Sequence, residues 1–400
     1  MGKEDLVAFG EVEPASRQQI ERCLEAAGED SRGVLCADHH KGYSMSIGGV
    51  VASNDVVMPA GVGYDIACGN CAVQTPIKAA DVDIARVMDE VWRTISFGMG
   101  RNNDERIGEH PVFDAIAGSP VKYQRHLLAL ARGQLGTVGG GNHYVDLFED
   151  AADGSLWVGV HFGSRGLGHK TASGFLALAA GHKWGERAND SMDAPPAVIP
   201  LGTPLADDYL AAMNIAGDYA YAGRDWVVDR VLRMLQTTAV QRVHNHHNFA
   251  WWETHHGRKT LVIRKGATPA FPGQKGFIGG SMGDNAVIVE GVDSAASKAA
   301  LYSTVHGAGR VMSRTQAAGK RNRRTGKQIS RGVVNWPKWR EELKARGIEL
   351  RGGGADEAPE CYKDLKSVLA AHGQTINILH TLRPIGVAMA GADTFDPYKD

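Results

Sequence analysis

His306-Gly307-Ala308-Gly309-Arg310-Val311-Met312-Ser313-Arg314 is the stretch that decides how this chain is read. It sets one imidazole between a short apolar run and a basic one. Gly307 and Gly309 let a ligand approach the backbone closely. From Arg310 to Arg331 there are eight cations (Arg310, Arg314, Lys320, Arg321, Arg323, Arg324, Lys327 and Arg331) and no acid. Such a run is commonly a solvated loop; beside an active site it would attract a polyanion. The phosphate fingerprints of the common nucleotide folds are missing. There is no GxGxxG, no GxxxxGK[ST] and no K-x-D-G, so neither a dinucleotide-binding turn nor a P-loop is signalled.

Working outward, four other loops carry metal-type residues. Gly63-Tyr64-Asp65-Ile66-Ala67-Cys68-Gly69-Asn70-Cys71 sets a carboxylate three residues before a thiol. Gly139-Gly140-Gly141-Asn142-His143 presents an imidazole after three glycines. His161-Phe162-Gly163-Ser164-Arg165-Gly166 closes an expected strand, and His244, His246 and His247 precede Asn248. Each signal is weak alone. Cys68-x-x-Cys71 reads as a redox pair or half a zinc site, and no second CxxC completes it. A single histidine at a strand end is more often a hydrogen-bonded structural residue. Together, however, Asp, Cys and several His in loops at strand ends suit a divalent transition ion (Mn, Zn, Co or Fe) over Mg or Ca.

The whole chain, 400 residues with 44 Lys+Arg against 45 Asp+Glu, excludes a general nucleic-acid coat protein but not a local basic patch. Its 50 glycines lack a G-X-Y period, which excludes collagen. Five scattered cysteines make no disulfide framework. No apolar run approaches the roughly 20 residues of a membrane span, and the early acids argue against a signal peptide. A cytoplasmic, reduced setting is expected. Helical spacing predicts helices over 16–27 (Ser16 capping, Gly28 ending), 81–96, and two over 205–236 interrupted near Gly217 or Gly223. Strands are expected at Met45–Ala52, Leu156–Phe162, Thr260–Arg264, Ala286–Glu290, Ile348–Arg351 and Ile385–Ala390. Helices and strands do not alternate strictly, so the class is α+β. With no linker or repeat, residues 1–400 are expected to be one domain.

At these loops the chain resembles the RtcB family of RNA ligases, which join an RNA 3′-phosphate or 2′,3′-cyclic phosphate to a 5′-hydroxyl using GTP. Besides 306–314, the likeness rests on Asp38-His39-His40-Lys41-Gly42, Pro59 to Gly69, Gly163 to Gly168, Arg264-Lys265-Gly266-Ala267, Gly280-Ser281-Met282-Gly283, Asp356-Glu357-Ala358-Pro359 and Tyr362-Lys363-Asp364. The resemblance implies a compact α+β body with β-sheets around a metal-lined cleft. It implies His306 as the guanylylated nucleophile. Asp65, Cys68, His143, His161 and His247 would hold two Mn2+ ions, with Cys68 bridging. Asn142, Tyr144, Asp146, Asn248, Gly279, Gly280, Ser281, Met282, Gly307, Ala308, Gly309 and Tyr362 match its guanine-nucleotide pocket. Arg165 and Arg310 are similar to residues that grip RNA phosphate. The implied partner is RNA, for repair or tRNA splicing, with no membrane and no obligate protein partner.

Three positions depart from that pattern. Asp146 stands where the family has Glu, Ala286 where it has Ser, and Met389 where it has a Lys reaching the base; Met cannot donate a hydrogen bond. Two other readings follow from the same residues. A metal-dependent RNA cyclic phosphodiesterase would need the ligands but not His306. A non-catalytic RNA-end-binding factor would need only the basic stretch.

Overall fold

The computed structural model describes residues 6–105, 107–188, 191–320 and 328–392. Arg321, Arg323, Arg324 and Lys327 of the basic stretch, and the tail 393–400, lie outside these.

Two large sheets organise the α+β body. The central one runs Lys275–Ile278, Ala286–Gly291, Ile376–Gly391, Tyr144–Asp150, Ser155–Phe162, Gly69–Lys78, Gln241–His246, all antiparallel, with Glu349–Gly353 added in parallel to Ile376–Gly391. The second runs Leu6–Ala8, Arg32–His40, Ile47–Ser53, Arg258–Lys265, Asn248–His255.

Period-two alternation sorts the central sheet's side chains onto two faces. Cys71, Val73, Val145, Leu147, Val158 and Val160 point to the outer face. There they pack against Val227, Val228 and Val231 of the helix Pro204–Met234 and Val87, Met88 and Val91 of the helix Ile84–Thr94. Ala72, Phe148, Trp157, Val243, Phe277, Val387 and Met389 fill the inner face. The sheet curls until its edges meet: Asn70 Nδ2 donates to Phe277 O (2.8 Å), and the Phe277 N–H donates to Asn245 Oδ1 (3.2 Å). The result is an almost closed barrel with one open rim.

Several elements depart from the expectations. Pro204–Met234 is one continuous 31-residue helix, without a break at Gly217 or Gly223. Its glycines serve packing: a Cβ at Gly217 would lie 2.9 Å from Phe249 Cε2, and one at Gly223 would lie 3.3 Å from Phe162 Cε2. The first helix begins at Pro14 and ends at Ala27; Pro pre-sets the first turn, so Ser16 is buried inside it rather than capping it. The strand expected at 385–390 extends over Ile376–Gly391, because a register shift at Pro384/Gly386 absorbs the proline. The glycine- and cysteine-rich segment at 69–71, read as loop, opens the strand Gly69–Lys78.

Candidate active site

Four of the expected metal ligands sit at the open rim of the central sheet. Tyr144, His161, Asn70 and Asn245 stand directly opposite one another on adjacent strands, so all four face inward. His143 precedes Tyr144, Cys68 precedes Gly69, and His247 follows the strand end at His246. The His247 N–H donates to Cys68 O (2.9 Å), which fastens two of these ends together. Asp65 joins through a tight turn after the helix Pro59–Val62, with the Cys68 N–H donating to Asp65 O (3.0 Å). Two triads result, Cys68/His161/His247 and Asp65/Cys68/His143, each with ligand atoms within 4.8 Å. They share Cys68. Its Sγ lies 3.6 Å from both His143 Nε2 and His161 Nε2, and His143 Nε2 lies 3.1 Å from Asp65 Oδ2.

Alternation also separates the three neighbouring histidines. Val243 and Asn245 face inward, and His247 continues that parity; His244 and His246 face the helix. There they meet Arg224, a fully buried arginine of Pro204–Met234 that nothing in the sequence marks out. Arg224 Nε donates to His244 Nε2 (2.8 Å), and Nη2 lies 2.8 Å from His246 Nδ1. Its Nη1 donates to Ala67 O (3.0 Å) and Phe162 O (2.6 Å), the carbonyls beside Cys68 and His161. Arg224 thus holds the two ligand-bearing strand ends from behind. Cys71, Asp225 and His244 form a third triad by distance. Since His244 Nε2 accepts from Arg224, its Nδ1 carries the proton and has no lone pair for an ion. Cys71 packs on the outer face of the sheet, whereas Cys68 sits with the inward histidines, so the two thiols of the CxxC face different environments.

The protonation states suit cation binding. Burial pushes His161 and His247 well below the ordinary imidazole value, leaving neutral bases. Burial would raise the Asp65 carboxyl, but its hydrogen bond and charge interaction with His143 hold it down at about 2. Burial, then Asp65, pushes the Cys68 thiol well above its usual range, so a cation is what would displace its proton. His161 Nδ1 lies 2.6 Å from Asn70 Oδ1, and Asn70 Nδ2 is committed to Phe277 O. The amide orientation is therefore set, Nδ1 is the protonated nitrogen of His161, and Nε2 offers its lone pair to the cluster. His247 Nδ1 is buried and has no hydrogen-bond partner among the described residues. This mixed N, S and O donor set fits divalent transition ions.

His306 faces the same cluster from the end of the strand Ser303–Val305, its ring centroid 4.8 Å from that of His247. Gly309 makes the approach possible: it adopts φ +76°, and a Cβ there would lie 2.1 Å from Asp38 O. Asp38 Oδ2 accepts the His306 backbone N–H at 3.0 Å and lies 2.6 Å from His306 Nδ1. Asp38 is wholly buried. Burial would raise its carboxyl, but the charge and hydrogen bonds of His306 bring it below the usual value. In the neutral imidazole, the contact with Asp38 Oδ2 sets the proton on Nδ1 and leaves the lone pair on Nε2. Asp38 belongs to a motif quoted above, yet its partnership across 268 residues had no signal in the sequence.

Asp65, Cys68, His143, His161, His247 and His306 line one cavity of about 1320 Å3, with Asp38 buried behind His306. So does every residue assigned above to nucleotide or RNA: Asn142, Tyr144, Asp146, Asn248, Gly279 to Met282, Gly307 to Gly309, Tyr362, Arg165 and Arg310. Gly279 bridges to Gly307, which joins the Gly279–Met282 segment to the His306 loop. Asn248 Oδ1 accepts the Gly266 N–H (2.7 Å). Arg310 is already engaged: Nη2 donates to Asp356 O (2.8 Å), and Nη1 to Tyr362 Oη (3.1 Å) and Glu357 Oε2 (3.4 Å). Reaching a phosphate would mean exchanging those partners. Met389 lines the cavity, whereas Ala286 is buried in the sheet.

A family model described as tRNA-splicing ligase RtcB matches residues 19–124 and 115–390. The chain belongs to the RtcB family. The RNA-splicing ligase RtcB of Escherichia coli (strain K12) is 31% identical over 407 residues, covering 94% of each chain. RtcB1 of a second Escherichia coli strain, ATCC 25922, is also 31% identical over 407 residues. The tRNA-splicing ligase RtcB of Aeropyrum pernix is 30% identical over 448 residues, covering 91% of this chain and 89% of its own. Among the described residues no helix is long and apolar enough to cross a membrane.

Proposed function

We propose that this RtcB-family chain is an RNA ligase that joins a 3′-phosphate or 2′,3′-cyclic phosphate end to a 5′-hydroxyl end, using GTP and Mn2+. The observation that carries the reading is His306, oriented by Asp38 and aimed at two ligand triads in a single cavity. Bound Mn2+ ions would be held by Asp65, Cys68, His143, His161 and His247 and would offset charge on the phosphates.

Asp38 keeps the His306 proton on Nδ1, so Nε2 is the free nucleophile. Nε2 forms a bond to the α-phosphorus of GTP as the bond to the β-phosphate oxygen breaks and pyrophosphate leaves. The ring becomes cationic, and the buried Asp38 charge stabilises it. A 3′-phosphate oxygen of the RNA then attacks the same phosphorus, and the imidazole departs. Finally the 5′-hydroxyl attacks the activated RNA phosphate, loses its proton and releases GMP. A cyclic phosphate is first hydrolysed to the 3′-phosphate.

The test is incubation of the full chain with Mn2+ and α-labelled GTP. A covalent GMP adduct should form, survive base, be lost in acid, and be missing in His306→Ala. RNA-end processing by His306→Asn at the unmodified protein's rate, with no adduct in either protein, would favour the phosphodiesterase reading instead.

A further inference from the structure

The guanidinium of Arg224 donates to four acceptors: Ala67 O (3.0 Å), Phe162 O (2.6 Å), His246 Nδ1 (2.8 Å) and His244 Nε2 (2.8 Å). Ala67 precedes Cys68, Phe162 follows His161, and His246 precedes His247. Three of the acceptors therefore belong to chain neighbours of Cys68, His161 and His247, the three members of one triad. Strand register explains the reach. Phe162, Gly69 and His246 stand side by side on three adjacent strands, so one side chain can touch both ends of the row. Ala67 shows how firmly the first end is held. It sits at φ +59°, a conformation that residues other than glycine rarely adopt. Its N–H donates to Asn248 O (2.7 Å), and its carbonyl accepts from Arg224.

The other triad is assembled without Arg224. Asp65 and Cys68 share one turn, with the Cys68 N–H donating to Asp65 O (3.0 Å), and His143 Nδ1 lies 3.4 Å from Arg165 Nη1. Among the described residues, Arg224 makes no hydrogen bond to Asp65, to His143 or to a residue adjacent to either. Charge is not what Arg224 supplies. A buried cation behind a cation site repels what binds there. Its four acceptors are carbonyls and imidazole lone pairs, so none of them offsets the cost of burying it. What arginine alone offers is a planar fork of donors in fixed directions.

We infer that Arg224 is a positioning residue for one ion only: it fixes the Cys68/His161/His247 triad from the far face of the sheet, while the Asp65/Cys68/His143 triad forms independently of it. This assignment rests on the two-ion reading above and divides that site into two parts with separate supports.

The experiment is Mn2+ binding to the full chain, followed by elemental analysis after dialysis and by electron paramagnetic resonance. Arg224→Lys keeps the charge without the fork, and Arg224→Met removes both. The unmodified chain should hold two ions with a spin-coupled spectrum. Each variant should bind one ion about 10–100-fold more weakly, as when hydrogen-bond partners behind metal ligands are removed. The other ion should stay, with the hyperfine pattern of an isolated ion. Adding His161→Ala to Arg224→Lys should cost nothing further, whereas adding His143→Ala should remove the remaining ion; the reverse pattern overturns the inference. If charge were the contribution, Arg224→Met would tighten Mn2+ binding and Arg224→Lys would leave it unchanged, and either result overturns it too. So does equal weakening of both ions, which is what a loosened rim would give. Gly223→Ala is a milder variant should those at Arg224 not fold: its Cβ would lie 3.3 Å from Phe162 Cε2 and crowd the strand end. It should weaken the same ion alone, and unchanged binding of both ions sinks the inference. An unmodified chain that binds no Mn2+ would instead reject the two-ion reading itself.

Discussion

His306 and Asp38 are 268 residues apart, and their 2.6 Å contact decides which imidazole nitrogen can act. Asp38→Asn keeps the size of the side chain but lets the amide accept or donate, so the tautomer is no longer enforced. Adduct formation should fall by on the order of 10^4, as loss of a tautomer-setting carboxylate does in a hydrolytic triad, while metal content is unchanged. Quench-flow labelling beside elemental analysis would show it, and adduct formation within threefold of the unmodified protein would reject the role. The two cysteines of the CxxC make a contrasting pair. Cys68 belongs to both triads, whereas Cys71 packs among valines on the outer face. Cys68→Ala should abolish binding at the proposed two-ion site, and Cys71→Ala should leave it intact at a cost of about 1 kcal/mol in stability. Spacing alone did not distinguish the two cysteines of the CxxC; only the resemblance to RtcB picked out Cys68. One residue of strand parity separates them, and parity could be assigned only once 69–78 was known to be a strand.

Among the elements, the long helix Pro204–Met234 departs furthest from its expectation. Glycine costs about 1 kcal/mol in a helix interior, which is why breaks at Gly217 or Gly223 were expected. The chain tolerates that cost because Phe249 occupies the space a side chain at Gly217 would need. Gly217→Ala should therefore destabilise, although alanine is the better helix former. Overpacking of about 1–3 kcal/mol set against the propensity gain leaves a net loss of about 1 kcal/mol. Chemical denaturation measures this directly, and a stabilised variant would contradict the packing argument. The same helix delivers Arg224 to the back of the ligand-bearing strands. Mid-helix arginines are mostly solvated, so its composition and spacing gave no hint of burial. By contrast, Ile84–Thr94 was legible, since Val87, Met88 and Val91 form one apolar face and Asp83 caps it.

Over the whole molecule, the proposed ligands come from the ends of four strands and one turn, so an ion held there would fasten the open rim of the curled sheet. Mn2+ at about 100 times its Kd should stabilise the protein by about 2.7 kcal/mol by mass action. Thermal melts with and without chelator would register the gain, and the gain should vanish in Cys68→Ala. A shift of equal size in that variant would place the ions elsewhere. The α+β class, the residue types of the metal loops, the His306 stretch and the glycines beside it were determined by the sequence alone. Each is a local matter: donor chemistry belongs to a side chain, and close backbone approach belongs to glycine. Tertiary structure alone decided the outward turn of Cys71, the burial of Arg224 and the partnership of Asp38 with His306. Those depend on strand register and on contacts between distant segments, because pairing energy is set by what lies opposite rather than by what lies adjacent in the chain.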